Sequence, residues 1–259
     1  MRNQSPQKTL KEEEPGQAVE VDDKRLCIVI PAKNEQATIK SVVDAIKEHL
    51  DAEVVVVNDA SEDDTESVLK ELDVNVLHHL ESLGAWLATQ TGLLWAYSKG
   101  FDYVVTLDAD GQHLPSEVPV LLKAMNEELD NDAPKKDVIV GSCQSRASFL
   151  KKSVWHLFRS ITGIKVRDIT SGFRLYNRKA QAVLVSKNAA LLEYQDVGVL
   201  LLLQSSGLNI SEVSVKMDKR MDGKSRIFSS SLKILYYILS TLLISFSKKK
   251  RVDPIGDNR

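Results

Sequence analysis

Asp108-Ala109-Asp110-Gly111-Gln112-His113 follows directly on the apolar run Tyr103-Val104-Val105-Thr106-Leu107. A short β-rich run that ends in two carboxylates at i, i+2 delivers both to the carboxyl end of a strand. Open α/β sheets bind ligands at that edge. Two hard oxygen ligands this close suit Mg2+ or Mn2+, which take few protein carboxylates and complete their shell with substrate phosphates. The matching chemistry is transfer from a nucleotide-activated donor, with the metal neutralising a diphosphate leaving group. A polar turn closing a buried strand is the other reading of the same residues, and spacing alone does not separate the two.

The elements that must position this turn show as alternating periods. Leu26-Cys27-Ile28-Val29-Ile30 is continuously apolar, the pattern of a strand covered on both faces, and Pro31 ends it. Apolar residues at 39, 42, 43, 46 and 50 predict a helix over 38–50 with Thr38 at its N-cap. A second buried strand over 53–57 runs into the loop Asn58-Asp59-Ala60-Ser61. A helix over 63–72, a strand over 74–77 and a helix over 85–99 follow, with Gly100 at the last C-cap. Strand 103–107 carries the carboxylate turn. Pro115 opens a helix over 115–129, and a fifth strand covers 137–141. Unbroken alternation over 24–141 predicts an α/β fold, a mostly parallel central sheet flanked by helices.

The second half reads differently. Residues 148–162 mix Lys151, Lys152 and Arg159 with Phe149, Trp155 and Phe158, which suits a core helix with solvated lysines or a surface-seeking face. A strand is expected over 213–217. Residues 229–246 are strongly apolar and close on Lys248-Lys249-Lys250-Arg251. The uninterrupted apolar core, about 13–15 residues, is short of the roughly 20 that span a bilayer. A helix lying in the membrane interface fits, its basic end drawn to anionic lipid by roughly 1 kcal/mol per charge. A helix packed on the domain, its lysines complementing the dipole, is the alternative.

Composition narrows the classes. The 259 residues are 43% hydrophobic and 27% charged, enough for one large domain with a full core. A net charge of −2 gives no electrostatic case for nucleic acid as the partner. Two cysteines, Cys27 and Cys143, make no disulfide framework, and Cys27 sits in a core-like run, so a cytoplasmic setting is expected. The N-terminal stretch is polar and acid-rich without a signal-peptide pattern. The expected layout is a disordered arm over 1–24, one α/β domain over 25–228, an amphipathic helix over 229–251 and a disordered tail over 252–259.

Three strand ends carry polar clusters: Pro31-Ala32-Lys33-Asn34-Glu35, Asn58-Asp59-Ala60-Ser61 and Asp108-Ala109-Asp110-Gly111-Gln112. In a parallel sheet these ends share one edge. With Asp168-Ile169-Thr170-Ser171-Gly172-Phe173-Arg174 as a fourth cluster, the order P-x-x-N-E, x-D-x-S, D-A-D-x-Q, D-x-T-S-G-F-R resembles the family-2 glycosyltransferases of glycosyltransferase-A (Rossmann-like) fold. Within them it resembles the dolichyl-phosphate-mannose-synthase-like branch, over roughly residues 25–245. Each motif is weak alone, and the four in order are specific together.

The resemblance implies roles. Pro31, Asn34, Glu35, Asn58 and Asp59 would line the nucleotide pocket. Asp108 would sit near the donor diphosphate, and Asp110 and Gln112, with Asp108, would hold Mg2+ or Mn2+. Asp108, Asp168 and Arg174 would form the catalytic centre. Ser171, Arg174, Lys224 and Arg226 would meet the acceptor phosphate, for which an arginine fork is a fitting partner. The implied activity is metal-dependent, inverting transfer of a hexose from a nucleotide sugar to a polyprenyl phosphate. It would take place at the cytosolic face of a membrane to which the chain binds peripherally, alone, as a homo-oligomer or with a small membrane protein. Such an acceptor is already an anion and needs no general base, whereas a hydroxyl acceptor would call on Asp168 or Asp196.

Several positions depart from the branch's pattern: Lys33, Asn58, Ala60, Trp86-Leu87, Cys143 and Gly198. The Asn58 carbonyl can accept from a uracil N–H but mimics poorly a carboxylate taking two guanine donors, which tilts the donor toward a UDP-sugar over GDP-mannose. Trp86 reads as core filling, and His113 as a hydrogen-bonding member of its turn. Two other readings stand beside the first. One is a soluble transferase acting on a glycan or small-molecule hydroxyl; the other is a weakly active, membrane-bound partner or scaffold.

Overall fold

The computed structural model describes residues 25–127, 134–143, 163–190, 192 and 197–218. The expected helices over 148–162 and 229–251, Asp196, Lys224, Arg226 and both termini lie outside them. The described strands are β1 (Leu26–Ala32), β2 (Glu53–Asn58), β3 (Asn75–His78), β4 (Tyr103–Thr106), β5 (Val138–Ser142), β6 (Arg174–Asn177) and β7 (Ile210–Ser214). The helices are α1 (Ile39–His49), α2 (Thr65–Lys70), α3 (Ala85–Ser98), α4 (Val118–Asn126), α5 (Arg178–Leu184), α6 (Lys187–Ala190) and α7 (Val197–Ser205). A 3-10 turn, Pro115–Glu117, leads into α4.

These strands form one seven-stranded sheet in the order β3-β2-β1-β4-β6-β5-β7. Strand β6 runs antiparallel to β4 and β5, and every other pair is parallel. The sheet is therefore mostly parallel, as expected, with one reversed strand that the sequence reading did not foresee. Arg174-Leu175-Tyr176-Asn177 is short and opens on a charge, so no strand period shows. The last strand also lies earlier than the expected 213–217, because Val138 pairs with Ile210 and Gly141 with Val213.

Side chains alternate across the sheet with period two. Cys27, Val29, Val55, Val104, Val140 and Tyr176 face one way, under Trp86 and Leu93 of α3, Ala180 and Leu184 of α5, and Leu200 and Leu203 of α7. Ile28, Ile30, Val56, Val105, Ile139 and Leu175 face the other, under Ile39, Val42 and Ile46 of α1 and Val118 and Leu121 of α4. The i, i+3, i+4, i+7 stripe of α1 is thus its buried face. Thr38 stands at the N-cap position but makes no side-chain cap bond; its hydroxyl turns back to the Glu35 carbonyl and carboxylate. Burial pushes the Cys27 thiol up to about 12, so it serves as an inert core group. Trp86 is core too, its indole N–H donating to the Ala189 carbonyl at 2.8 Å. Helix α3 crosses the sheet closely at Gly92, where a Cβ would stand 2.4 Å from Val29 Cγ1.

This topology gathers the chemistry. Strands β1, β2, β4, β5 and β7 all end at one edge, and the reversed β6 begins there. Thr106 pairs with Arg174, so the segment entering β6 runs beside the turn that leaves β4.

Candidate active site

The first two strand-end loops are knitted together. Asn34 N–H donates to Ser61 Oγ, Asn34 Oδ1 accepts from Glu62 N, and Glu35 N–H donates to Thr65 Oγ1 at 2.8 Å. Gln36 and Asp63–Asp64 continue the seam. Asn34 and Ala60 hold left-handed backbone, φ 57° and 52°. The polar residues expected to bind a nucleotide therefore first fix the shape of each other's loops. Asn58 Oδ1 accepts from Ser61 N at 3.1 Å, so the oxygen expected to read uracil already closes its own turn.

Asp59 is used still more fully. It is 3% exposed, and Oδ1 accepts from His79 Nδ1 and Leu83 N, both at 2.8 Å. Oδ2 accepts from Ser82 Oγ at 2.8 Å and Gly84 N at 2.9 Å. Burial would raise this carboxyl, but the four donors outweigh it and hold Asp59 below its ordinary value. Its carboxylate faces the 79–84 loop and the N-terminus of α3. His79, which the sequence reading passed over, completes this anchor with Nε2 at 3.0 Å from Thr91 Oγ1.

Beside these loops stands the carboxylate turn. Asp110 accepts from Gln112 N at 3.0 Å and from Gln112 Nε2 at 2.9 Å. That pairing directs the amide N–H toward Asp110 and leaves Gln112 Oε1 as the oxygen for other partners. The Asp108 side chain is 38% exposed, and its backbone N–H donates to His113 Nδ1 at 3.0 Å. His113 is buried and stacks on Phe173, ring centroids 5.2 Å apart. It thus has the turn-forming role expected of it. The far side of the turn is pinned to the exit of β7, where His113 bridges Met217 and Asp218 N–H donates to the Gln112 carbonyl at 3.0 Å.

The 168–174 segment lies alongside. Thr106 Oγ1 donates to the Gly172 carbonyl at 2.6 Å. Ser171 Oγ donates to the Gly141 carbonyl at 2.6 Å and accepts from Phe173 N, so this hydroxyl braces the segment against β5. Arg174 is 1% exposed and donates to the Ile169 carbonyl at 3.2 Å. Its guanidinium lies on the sheet face of Tyr176, inside the domain. Asp168 is also buried, its Oδ1 accepting from Thr170 N and Oγ1. Burial raises its carboxyl above the ordinary range, the Thr170 hydrogen bonds and Arg174 pull it down, and Glu212 pushes it up again. Glu212, a further residue the sequence reading missed, accepts from Arg167 N and Asp168 N at 3.0 Å each.

Among the described residues no group of three His, Cys, Asp or Glu side chains gathers to enclose a metal. Asp108, Asp110 and Gln112 instead offer two carboxylates and an amide oxygen. That hard, incomplete set fits Mg2+ or Mn2+ sharing its shell with phosphate oxygens and water. Also among the described residues, no helix is long and apolar enough to cross a membrane.

Residues 27–184 match the family model of glycosyl transferase family 2. The chain is 32% identical over 222 residues to the UDP-N-acetylglucosamine–dolichyl-phosphate N-acetylglucosaminyltransferase of Methanococcus voltae, covering 75% of this chain and 86% of that one. It is 26% identical over 225 residues to the polyprenol monophosphomannose synthase of Mycolicibacterium smegmatis, covering 81% and 83%. Among solved structures, it resembles the glucosyl-3-phosphoglycerate synthase of Mycobacterium tuberculosis in complex with Mn2+, UDP and phosphoglyceric acid. That likeness has a TM-score of 0.61 and 21% identity over 89% of this chain and 80% of that one, and it speaks to the fold alone. It bears out the glycosyltransferase-A architecture expected from the four motifs. Family match, motif order and fold agree, and the chain belongs to glycosyl transferase family 2: it is a glycosyltransferase.

Proposed function

We propose that this glycosyltransferase moves a hexosyl group, with inversion, from a nucleotide sugar to a polyprenyl phosphate at the cytosolic face of a membrane. The observation that carries this reading is the Asp108–Gln112 turn, held at the sheet edge between the knitted nucleotide loops and the 168–174 segment. The names of the Methanococcus and Mycolicibacterium relatives support a dolichyl- or polyprenyl-phosphate acceptor. The first of those names supports a UDP-sugar donor.

Asp108, Asp110 and Gln112 would hold Mg2+ or Mn2+, which when bound supplies positive charge for the diphosphate leaving group. Loops 31–38 and 58–65, each locked by the other, form a wall for the nucleoside with little reorganisation on binding. A phosphate acceptor arrives as an anion, so the chain has no proton to remove and contributes orientation and charge. Asp168, buried and tied to Thr170, then shapes the acceptor side as a turn former. Lys224 and Arg226 supply cationic partners for the acceptor phosphate, and the apolar, basic-ended segment 229–251 brings the domain to the lipid.

The test is turnover of radiolabelled nucleotide sugars, UDP-N-acetylglucosamine, UDP-glucose and GDP-mannose among them, on vesicles carrying undecaprenyl or dolichyl phosphate. Label should enter the lipid phase, with EDTA abolishing it. Transfer only to soluble hydroxyl acceptors, or turnover unaffected by EDTA, would overturn the reading.

A further inference from the structure

We infer that His113 is the positioning residue of the metal turn, its Nδ1 accepting from the Asp108 backbone N–H; this rests on the reading that Asp108, Asp110 and Gln112 hold a divalent cation. A backbone N–H only donates, so the 3.0 Å contact from Asp108 N makes His113 Nδ1 an acceptor. Nε2 lies 3.8 Å from Asp108 Oδ2, too long for a hydrogen bond, so the second ring nitrogen faces the carboxylate without holding it. One ring therefore fixes Asp108 at its backbone and faces its side chain.

The ring itself has no freedom. It is 5% exposed and lies 17° from parallel over Phe173, which is fully buried where the chain enters β6. Its backbone is bridged to Met217. The turn is thus closed at two levels: Asp108 to His113 across its ends, and Asp110 to Gln112 within it. Groups that orient metal ligands from behind are typically worth about 10–100-fold in metal affinity. The geometry assigns that role here to His113.

The probes are Mn2+ alone, followed in solution by its paramagnetic resonance, and UDP titrated with and without Mn2+, all with the full chain. His113→Phe keeps a ring over Phe173 but has no acceptor. His113→Asn sets an amide oxygen near the place of Nδ1. His113→Phe should weaken Mn2+ by about 10–100-fold while leaving metal-free UDP affinity within about twofold, and His113→Asn should recover most of the loss. If His113→Phe fails to fold, His113→Gln, which keeps a donor near Nε2 but loses the Nδ1 acceptor, takes its place with the same expectation. Wild-type Mn2+ affinity in these variants, or a His113→Asn protein as impaired as His113→Phe, would overturn the inference alone. A wild-type chain that binds Mn2+ neither alone nor together with UDP would overturn the metal reading and this inference with it.

Discussion

Replacing Asp59 by asparagine separates a scaffold from a ligand. The native carboxylate accepts four hydrogen bonds, two on each oxygen, from His79, Leu83 N, Ser82 and Gly84 N. Asparagine keeps one oxygen and sets an amide donor where the other stood. If the amide takes the place of Oδ2, the Ser82 hydroxyl can turn to accept from it, but Gly84 N–H cannot. One orphaned donor costs about 1–3 kcal/mol, and the bonds that survive lose their charge assistance. Water reaches this exposed loop and recovers part, so the expected loss is about 2–3 kcal/mol by urea unfolding at pH 7. The pH dependence has a definite sign. Asp59 is held below its ordinary value, so its contribution is complete above the ordinary carboxylate range and is lost as pH falls through the depressed folded value. The gap between wild type and Asp59→Asn should therefore narrow in acid. Metal-free UDP binding should weaken alongside stability, since the 79–84 loop opens α3 near the nucleotide loops. A stability difference under about 1 kcal/mol, well below the cost of an orphaned donor, or a gap that does not narrow in acid, would refute the scaffold reading. Lost UDP affinity at unchanged stability would return Asp59 to the role of direct ligand.

Three further outcomes are expected. Gly92→Ala gains about 1 kcal/mol of helix propensity but drives a Cβ to 2.4 Å from Val29 Cγ1, so a net loss of about 1–2 kcal/mol should appear in denaturant unfolding, and stabilisation would refute the close crossing of α3. Ala60→Gly relieves the left-handed backbone at φ 52° and, after the entropy that glycine adds to the unfolded chain, should gain about 0.5–1 kcal/mol, read as a Tm rise of about 1–4 °C. Asp110→Ala should weaken Mn2+ by at least about 100-fold, beyond what outer-shell partners cause, and should abolish any tightening of UDP by Mn2+; equal UDP affinity with and without metal in the wild type would contradict the assignment.

Much of this architecture was legible because burial writes periods into sequence. The apolar runs at 26–30 and 53–57 and the stripe at 39, 42, 43 and 46 became β1, β2 and α1. Strand β6 was not legible. Its pairing is set by partners far along the chain, and its first residue, Arg174, is buried inside the domain and donates to the Ile169 carbonyl, where no local pattern reports it. The motif positions divide along the same physical line. Residue type says what a side chain can bind, but not how many of its lone pairs the fold has already filled. The carboxylate of Asp59 and the hydroxyl of Ser171 are taken up by neighbouring backbone and side chains. Strand-end loops are rich in unpaired N–H groups, and the oxygens of the motifs are the nearest acceptors. Asp108, 38% exposed and held through its backbone by His113, keeps its carboxylate open to solvent. Partial exposure behind a locked backbone thus sets Asp108 apart within its turn, where Asp110 is 5% exposed and reaches its neighbours through Gln112 N and Nε2.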